Sequence, residues 1–218
     1  DTNYLSSNIY GEYTPKLGDD HTLKLLAGWN LETKKYRGTT IKREGLTVPS
    51  KPSFGLMDGL TSDPVVSGYD WSYVGAFFRA NYGYQGKYLA EFSCRYDGSS
   101  KFPENSKWGF FPSASIGWRL SEEKFMEWSR NWLDNLKIRL SAGSMGNGNI
   151  DPYKYIDYMT IKTSTVVIGD ALGSYTTAPG AIPLSLTWET ATTYDVGFDM
   201  DLFRNRLSIG FDWYRRYT

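Results

Sequence analysis

Hydrophobic and polar residues alternate with a period of two over segment after segment of this chain. That is the pattern of strands with one apolar and one polar face. In the first segment Leu5, Ile9 and Tyr13 share one side, and Ser6, Asn8 and Glu12 the other. The second sets Leu23, Leu25, Ala27, Trp29 and Leu31 against Thr22, Lys24, Gly28, Asn30 and Glu32. The third, from about Tyr73 to Tyr84, sets Val74, Ala76, Phe78, Ala80, Tyr82 and Tyr84 against Arg79 and Asn81. The fourth returns after the Gln85-Gly86-Lys87 turn, with Tyr88, Ala90, Phe92, Cys94 and Tyr96 against Glu91, Ser93, Arg95 and Asp97.

A fifth strand starts at Trp108. Its apolar side holds Trp108, Phe110, Ala114, Ile116, Trp118 and Leu120, and Gly109, Ser113, Ser115 and Gly117 lie opposite. Pro112 lacks the ladder N–H, which predicts a bulge inside this strand. The sixth sets Leu136, Ile138, Leu140 and Ala142 against Lys137, Arg139 and Ser141. The seventh sets Tyr194, Val196, Phe198, Met200 and Leu202 against Asp195, Gly197, Asp199 and Asp201, and the eighth sets Leu207, Ile209, Phe211 and Trp213 against Ser208, Gly210 and Asp212. The period changes once, in SEEKFMEWSRNWLDN (121–135), where Phe125, Trp128 and Trp132 recur at helical spacing and Ser121 is placed to cap the start. One short helix is expected there.

The connections fall into two classes. Those after the first, third and seventh strands are short, and the one after the fifth carries the helix. Those after the second, fourth and sixth are long or polar, at 37–70, 97–107 and 146–185. Up-and-down connectivity collects the short turns at one end and the long loops at the other, which is the arrangement of an outer-membrane barrel. The predicted fold class is therefore all-β, an antiparallel up-and-down transmembrane β-barrel segment of about eight strands.

Composition narrows the function. The formal net charge is zero and the pI about 6.8, so no basic excess is available for nucleic acid. Mean hydropathy is −0.46, and no stretch approaches the roughly 20 apolar residues of a spanning helix. Alternating barrel strands are compatible with that value. Aromatic residues make up 17% of the chain, with 17 Tyr and 8 Trp. Seven of them, Tyr82, Tyr84, Tyr88, Tyr96, Trp108, Trp118 and Trp213, fall near strand ends, as interface girdles do.

Catalytic and metal chemistry finds little to build on. Cys94 and His21 are each alone, so no intrachain disulfide, Cys-based zinc site or His pair is available. His21 is read as a solvated turn residue and Cys94 as a small apolar one. Ser144 to Asn149 contains Gly-x-Gly without a P-loop lysine and is read as a loop. Asp195, Asp199 and Asp201 share a strand face, and solvated carboxylates explain them better than a cation site. The expectation is no enzyme, no metal and no cofactor. The N-terminus carries no signal-peptide pattern.

Several blocks resemble a known family. RYDGSSKF (95–102), WGFFPSASIGWRLSEEKF (108–125), LDNLKIRLSAGSMGN (133–147) and LTWETATTYDVGFDMDLFRNRLSIGFDWYRRYT (186–218) resemble successive blocks of the SusC/RagA TonB-dependent outer-membrane transporters of Bacteroidetes. The resemblance covers nearly the whole chain, except the intervals 37–70 and 150–185. It implies a barrel of about 22 strands with an N-terminal plug, driven through a TonB box by the TonB complex. It also implies import of glycans or peptides in the cell outer membrane, with a SusD-like surface lipoprotein as partner. No signal sequence, TonB box, plug or terminal aromatic strand signal is recognised here. The chain is accordingly read over 1–218 as a partial barrel segment, and the sequence 121–135 as a periplasmic-end helix.

Three expectations follow for the structure. Lys24, Glu32, Arg79, Glu91, Arg95, Arg139, Asp195 and Asp212 face the lumen. Leu23, Leu25, Trp29, Phe78, Phe92, Ile116, Trp118, Ile138, Phe198, Ile209 and Phe211 face lipid. The strands at 3–13 and 207–217 are edges not paired with each other. Trp71, Tyr153 and Tyr155, with Tyr158 beside them, are candidate ligand contacts in external loops. A soluble all-β carbohydrate-binding module and a complete small eight-stranded barrel are the competing readings.

Overall fold

The computed structural model describes residues 1–156, 159, 161–168, 171–178 and 186–218. The strands among them are β1 (Thr2–Tyr13), β2 (His21–Thr40), β3 (Val65–Tyr84), β4 (Tyr88–Ser99), β5 (Trp108–Arg119), β6 (Leu133–Asn147), β7 (Ile161–Ile168), β8 (Ala171–Thr176), β9 (Glu189–Leu202) and β10 (Leu207–Tyr217). Eight of them form one antiparallel sheet in the order β1-β2-β3-β4-β5-β6-β9-β10, and β7 pairs with β8 separately. The topology is up-and-down. β1 and β10 are the sheet's edges and do not pair with each other, so these eight strands do not close into a small barrel.

Directly opposed residues in an antiparallel ladder project to the same side, so register assigns the faces. Trp29 lies opposite Ala76, Phe78 opposite Cys94, Phe92 opposite Ala114, Ile116 opposite Leu140, Ile138 opposite Phe198, and Phe198 opposite Phe211. All the residues expected on the apolar face share one side. All eight expected on the polar face share the other. Charges with apolar parity, Lys35, Arg37, Asp70 and Arg215, lie in the long-loop halves of their strands, and Asp134 sits in the bulge of β6.

Among the described residues, no second sheet covers the apolar side. Trp29 is 57% exposed, Ile116 57% and Phe211 55%. A sandwich would have buried them. The polar side is concave. Asn30 of β2 and Arg216 of β10 line one hollow of about 600 Å³, although six strand spacings, about 29 Å of flat sheet, separate their strands. Only a strongly curled sheet brings them together.

Aromatic rings mark two levels on the apolar side. At the short-turn end Tyr84 stacks on Tyr88 (centroids 6.3 Å) and Tyr88 on Trp118 (6.4 Å), with His21 against Tyr84. At the long-loop end Tyr96 stacks on Trp108 at 5.0 Å, nearly parallel. The two levels are eight residues apart on β4 and ten on β5. At about 3.3 Å per residue and a tilt of about 40°, that gives a height of roughly 20–25 Å, close to the apolar band of a membrane barrel.

Several local expectations are corrected. Trp71 belongs to β3, because β2 and β3 extend well past their alternating cores into one long ribbon, from Thr40 opposite Val65 to His21 opposite Tyr84. His21 opens β2 and bonds the Tyr82 hydroxyl through Nδ1 at 2.8 Å, so it is not a turn residue. Pro112 makes no bulge. The β4–β5 register runs unbroken through Cys94 opposite Pro112, and the β5–β6 ladder starts one residue later, at Ser113. The missing N–H therefore falls where the second ladder has not begun.

The helix at 121–135 is two short 3-10 pieces, Leu120–Glu122 and Lys124–Ser129. Its aromatic side stays largely open: Phe125 is 60% exposed and Trp128 68%, with Trp128 set only against Trp132 at 6.0 Å among the described rings. Without tertiary packing so short an α-helix is marginal. Ser121 does not cap it. Its hydroxyl is buried without a hydrogen-bond partner, and Arg119 holds the position before the first turn. The β7–β8 hairpin had no counterpart in the pattern of the sequence. The short turn between β3 and β4 is as expected: Lys87 N–H donates to Tyr84 O at 3.0 Å, with positive φ at Gln85 and Gly86, as in a type I′ hairpin turn.

The turn after β5 is tied back to the aromatic level. Tyr88 Oη donates to Glu123 Oε1 at 2.5 Å, Trp118 Nε1 donates to the same oxygen at 3.1 Å, and Lys87 Nζ lies 3.8 Å from Oε2. These donors, the Tyr88 hydroxyl first, hold the Glu123 carboxyl below its usual pKa of 4.5. A lowered carboxylate pKa stabilises the folded state above the ordinary value, and that contribution is lost as pH falls through the shifted one. Thermal stability should therefore fall as pH drops below about 4.5, and part of that fall should vanish in Glu123→Gln. A pH series of melting temperatures in which both proteins lose equally would show that the bonds are not formed.

Candidate functional site

The polar, concave side carries the charges, and most of them are paired within the wall. Lys24 meets Glu12 at 2.9 Å and Arg79 meets Glu91 at 3.8 Å. Arg139 meets Asp199 at 2.8 Å and Asp212 at 2.9 Å, linking β6, β9 and β10. Gly197, opposite both Arg139 and Asp212, leaves room for this bridge. Glu32 accepts from the Tyr4 hydroxyl at 3.0 Å, and Asp195 lies opposite Ser141 and Tyr214. Asp199 and Asp201 are engaged by protein partners: Asp201 accepts from Asn135 and Ser208. No group of three or more metal-ligating side chains occurs among the described residues.

Toward the long-loop end this side becomes more enclosed. Arg95 donates to Asp97 through Nε and Nη2 at 3.2 and 3.0 Å, and Nη2 also reaches Asn30 Oδ1 at 3.1 Å and Tyr73 Oη at 3.3 Å. Asp97 is 4% exposed. Gly75 stands opposite Asp97, and a Cβ there would overlap the carboxylate. Beside this network lies a hydrophobic cluster of Phe102, Phe111 and Trp188, with Tyr73, Ile150 and Leu186 against it. Phe102 comes from the loop after β4, Phe111 from β5, and Trp188 from the connection into β9. Trp188 Nε1 donates to Lys107 O at 3.1 Å. The Gly-x-Gly at 146–148 has its explanation here. It extends β6 in part, and Cβ atoms at Gly146 and Gly148 would overlap the Phe111 and Trp188 rings.

Trp71 lines the hollow of about 600 Å³ next to this cluster, with Glu32, Tyr73, Arg95, Lys101 and Arg216. The Lys101 ammonium sits 4.8 Å from the Trp71 ring centroid, a cation–π distance. The structure does not bring Tyr153 and Tyr155 to this hollow. The Tyr153 hydroxyl bonds the carboxylate of Asp70 and accepts the Asp70 N–H at 3.0 Å, which makes it a strut between the loop after β6 and β3. Tyr155 is half-buried in the same loop. Tyr158 lies outside the described residues. Sequence reasoning missed Phe102 and Trp188, because loop residues that fold inward leave no period behind.

This geometry is matched by known proteins over the full chain. The family model described as TonB dependent receptor-like, beta-barrel, covers residues 1–218. The chain belongs to that family. TonB-dependent receptor P3 of Formosa agariphila is 35% identical over 217 residues, 98% of this chain and 21% of that protein. TonB-dependent receptor SusC of Bacteroides thetaiotaomicron is 37% identical over 148 residues, 66% of this chain and 15% of that one. Among solved structures, the RagAB peptide transporter superposes with a TM-score of 0.78 at 27% identity, covering 99% of this chain and 23% of the matched chain. The chain thus spans about a fifth of the length of these relatives. They are receptors and transporters by name, not enzymes.

The Arg95–Asp97 pair allows a direct test. Arg95→Gln leaves a buried carboxylate without its charged partner, which should cost about 1–3 kcal/mol, and Asp97→Asn in the same chain should recover part of that loss. Additive losses in the double-mutant cycle would show that the two side chains do not interact.

Proposed function

We propose that this chain is an arc of barrel wall in an outer-membrane TonB-dependent importer, with the concave polar side lining the lumen and the apolar side in lipid. The observation that carries this reading is the exposed apolar side, bounded by two aromatic levels about 20–25 Å apart and free of charge between them on β4 and β5. So large an uncovered apolar surface is foreign to a soluble monomer, which weighs against a carbohydrate-binding module. The unpaired edges β1 and β10 fit strands that meet further barrel strands on either side.

In this reading Lys24, Glu32, Arg79, Glu91, Arg95, Arg139, Asp195 and Asp212 face the lumen. Ion pairs within the wall, such as Lys24 with Glu12 and Arg139 with Asp199 and Asp212, keep it close to neutral, which suits passage of neutral glycans or mixed-charge peptides. Trp71, beside Lys101 and above the Arg95 network, is the aromatic contact placed to meet such a substrate. Tyr153 braces its loop against β3 instead. The likeness to SusC and to a RagAB peptide transporter supports a SusD-like surface lipoprotein as partner and the TonB complex as the energy source, acting through other parts of the protein.

Facing is tested in the complete transporter in lipid vesicles, with Cys94→Ala as background. Cysteines at Trp29, Phe92 and Ile116 should be reached by lipid-soluble probes alone, and cysteines at Lys24, Glu91 and Asp195 by water-soluble reagents. Phe92 lies midway between the aromatic levels, so Phe92→Lys should cost about 2–4 kcal/mol of stability in the bilayer. Water-soluble labelling of both sets, or folding of the protein without detergent, would overturn the reading.

A further inference from the structure

The apolar side is not smooth. A hollow of about 620 Å³ opens on it at the short-turn end, walled by Tyr82, Tyr88, Ile116, Trp118, Ile138 and Leu140. Register explains why it is there. Tyr82, Ala90, Ile116 and Leu140 form one row across β3 to β6, and Tyr84, Tyr88, Trp118 and Ile138 form the next. Ala90 contributes one methyl group between two large side chains, directly below the stacked Tyr88 and Trp118 rings, and becomes the floor. A second hollow of about 360 Å³ shares Ile116 and Leu140 with the first and continues it over Ala114 and Ala142 toward Tyr194 and Val196.

The dimensions and the rim point to one kind of occupant. From Trp118 to Ala114 is about 13 Å of strand, or roughly 10 Å of height at a tilt of about 40°, close to half of an apolar band of about 20–25 Å, so the groove is about one leaflet deep. Its mouth is polar. The Tyr88 hydroxyl and Trp118 indole N–H, on two of the lining rings, both donate to Glu123, and Lys87 Nζ stands 3.8 Å from the other carboxylate oxygen. The Lys87 and Glu123 side chains are only 22% and 15% exposed, a setting in which charge contacts are less screened than on an open surface. Above the hydrocarbon-lined hollow, the mouth thus holds a carboxylate bonded to two lining rings, with an ammonium beside it.

A glycerophospholipid with an amine headgroup presents groups that complement all three: an acyl chain, a phosphate and an ammonium. We propose that this groove binds one phosphatidylethanolamine molecule, with an acyl chain over Ala90, the phosphate on Lys87 and the headgroup ammonium on Glu123. The site rests on the apolar side being in lipid, but it adds a specific, headgroup-selective contact where the barrel surface otherwise meets bulk lipid. Holding the lipid there would brace the helical turn after β5 against the hairpin turn at 85–87.

The test is native mass spectrometry of the complete transporter released from mild detergent. Wild type should keep one phosphatidylethanolamine and exchange it for phosphatidylglycerol at least tenfold less readily than for itself. Ala90→Phe fills the floor with a side chain suited to lipid, so the barrel should still assemble, judged by heat-modifiable migration, while lipid retention drops at least tenfold. Glu123→Gln should keep a lipid but lose the headgroup preference. Equal retention in wild type and Ala90→Phe, or no preference between the two lipids in wild type, would overturn the site. A transporter that stays dispersed and folded without detergent would instead overturn the membrane reading beneath it.

Discussion

The ladder of backbone hydrogen bonds is the constraint on which everything else here depends. In a medium without water every N–H and C=O must find a partner within the protein, and strands can do this only side by side. Between its two edge strands, β1 and β10, the eight-stranded sheet meets that requirement with a register that breaks once, beside the turn at the start of β6. A side-chain period of two then leaves each strand no choice about which residues share a side. The separation of charge from apolar surface is thus a product of pairing, and it extends over eight strands because the pairing does.

The two sides solve different problems with the same strands. On the apolar side the rings stack with one another and hold the turns through single polar contacts, as at Glu123. On the polar side the charges neutralise each other across strands, and glycine appears where two of them must meet, at Gly75 and Gly197. Phe102, at 1% exposure the most buried apolar side chain among the described residues, lies with Phe111 and Trp188 on this polar side under the long loops. Loops that carry their own core are held in place instead of trailing in solvent. Phe102→Ala should free the loop at 99–107, at a cost of about 3–5 kcal/mol to that local structure, read as faster proteolysis there with the sheet intact.

Strand order, faces and the asymmetry of the connections were legible in the sequence, because each follows from alternation and turn length. Strand ends were not. β2 and β3 continue as a paired ribbon through residues whose side chains no longer alternate in polarity, so the pattern stops at Tyr73 while the hydrogen bonds run on to Val65. The helical spacing of Phe125, Trp128 and Trp132 was real, but its rings stay largely exposed, and short 3-10 turns resulted. Pro112 looked disruptive only because sequence does not show where the neighbouring ladder begins. The enclosed end of the polar side was the least legible. Its cluster joins residues from three separate connections and strands, and the Gly-x-Gly that makes space for it reads as an ordinary loop.

The junction of β6 with β9 sets the order in which such a wall can form. Every other neighbouring pair in the sheet is joined by a connection of at most about two dozen residues, whereas the chain must close residues 148–188 before β9 can dock. Closing about 40 residues costs roughly 1.6 kcal/mol more entropy than closing the seven of the β1–β2 turn. Strands β1 to β6 can therefore zip up hairpin by hairpin from local contacts, while β9 and β10 arrive as a preformed pair. The largest loop closure in this wall lies between β6 and β9, and Arg139 bridges it to both strands beyond, through Asp199 and Asp212.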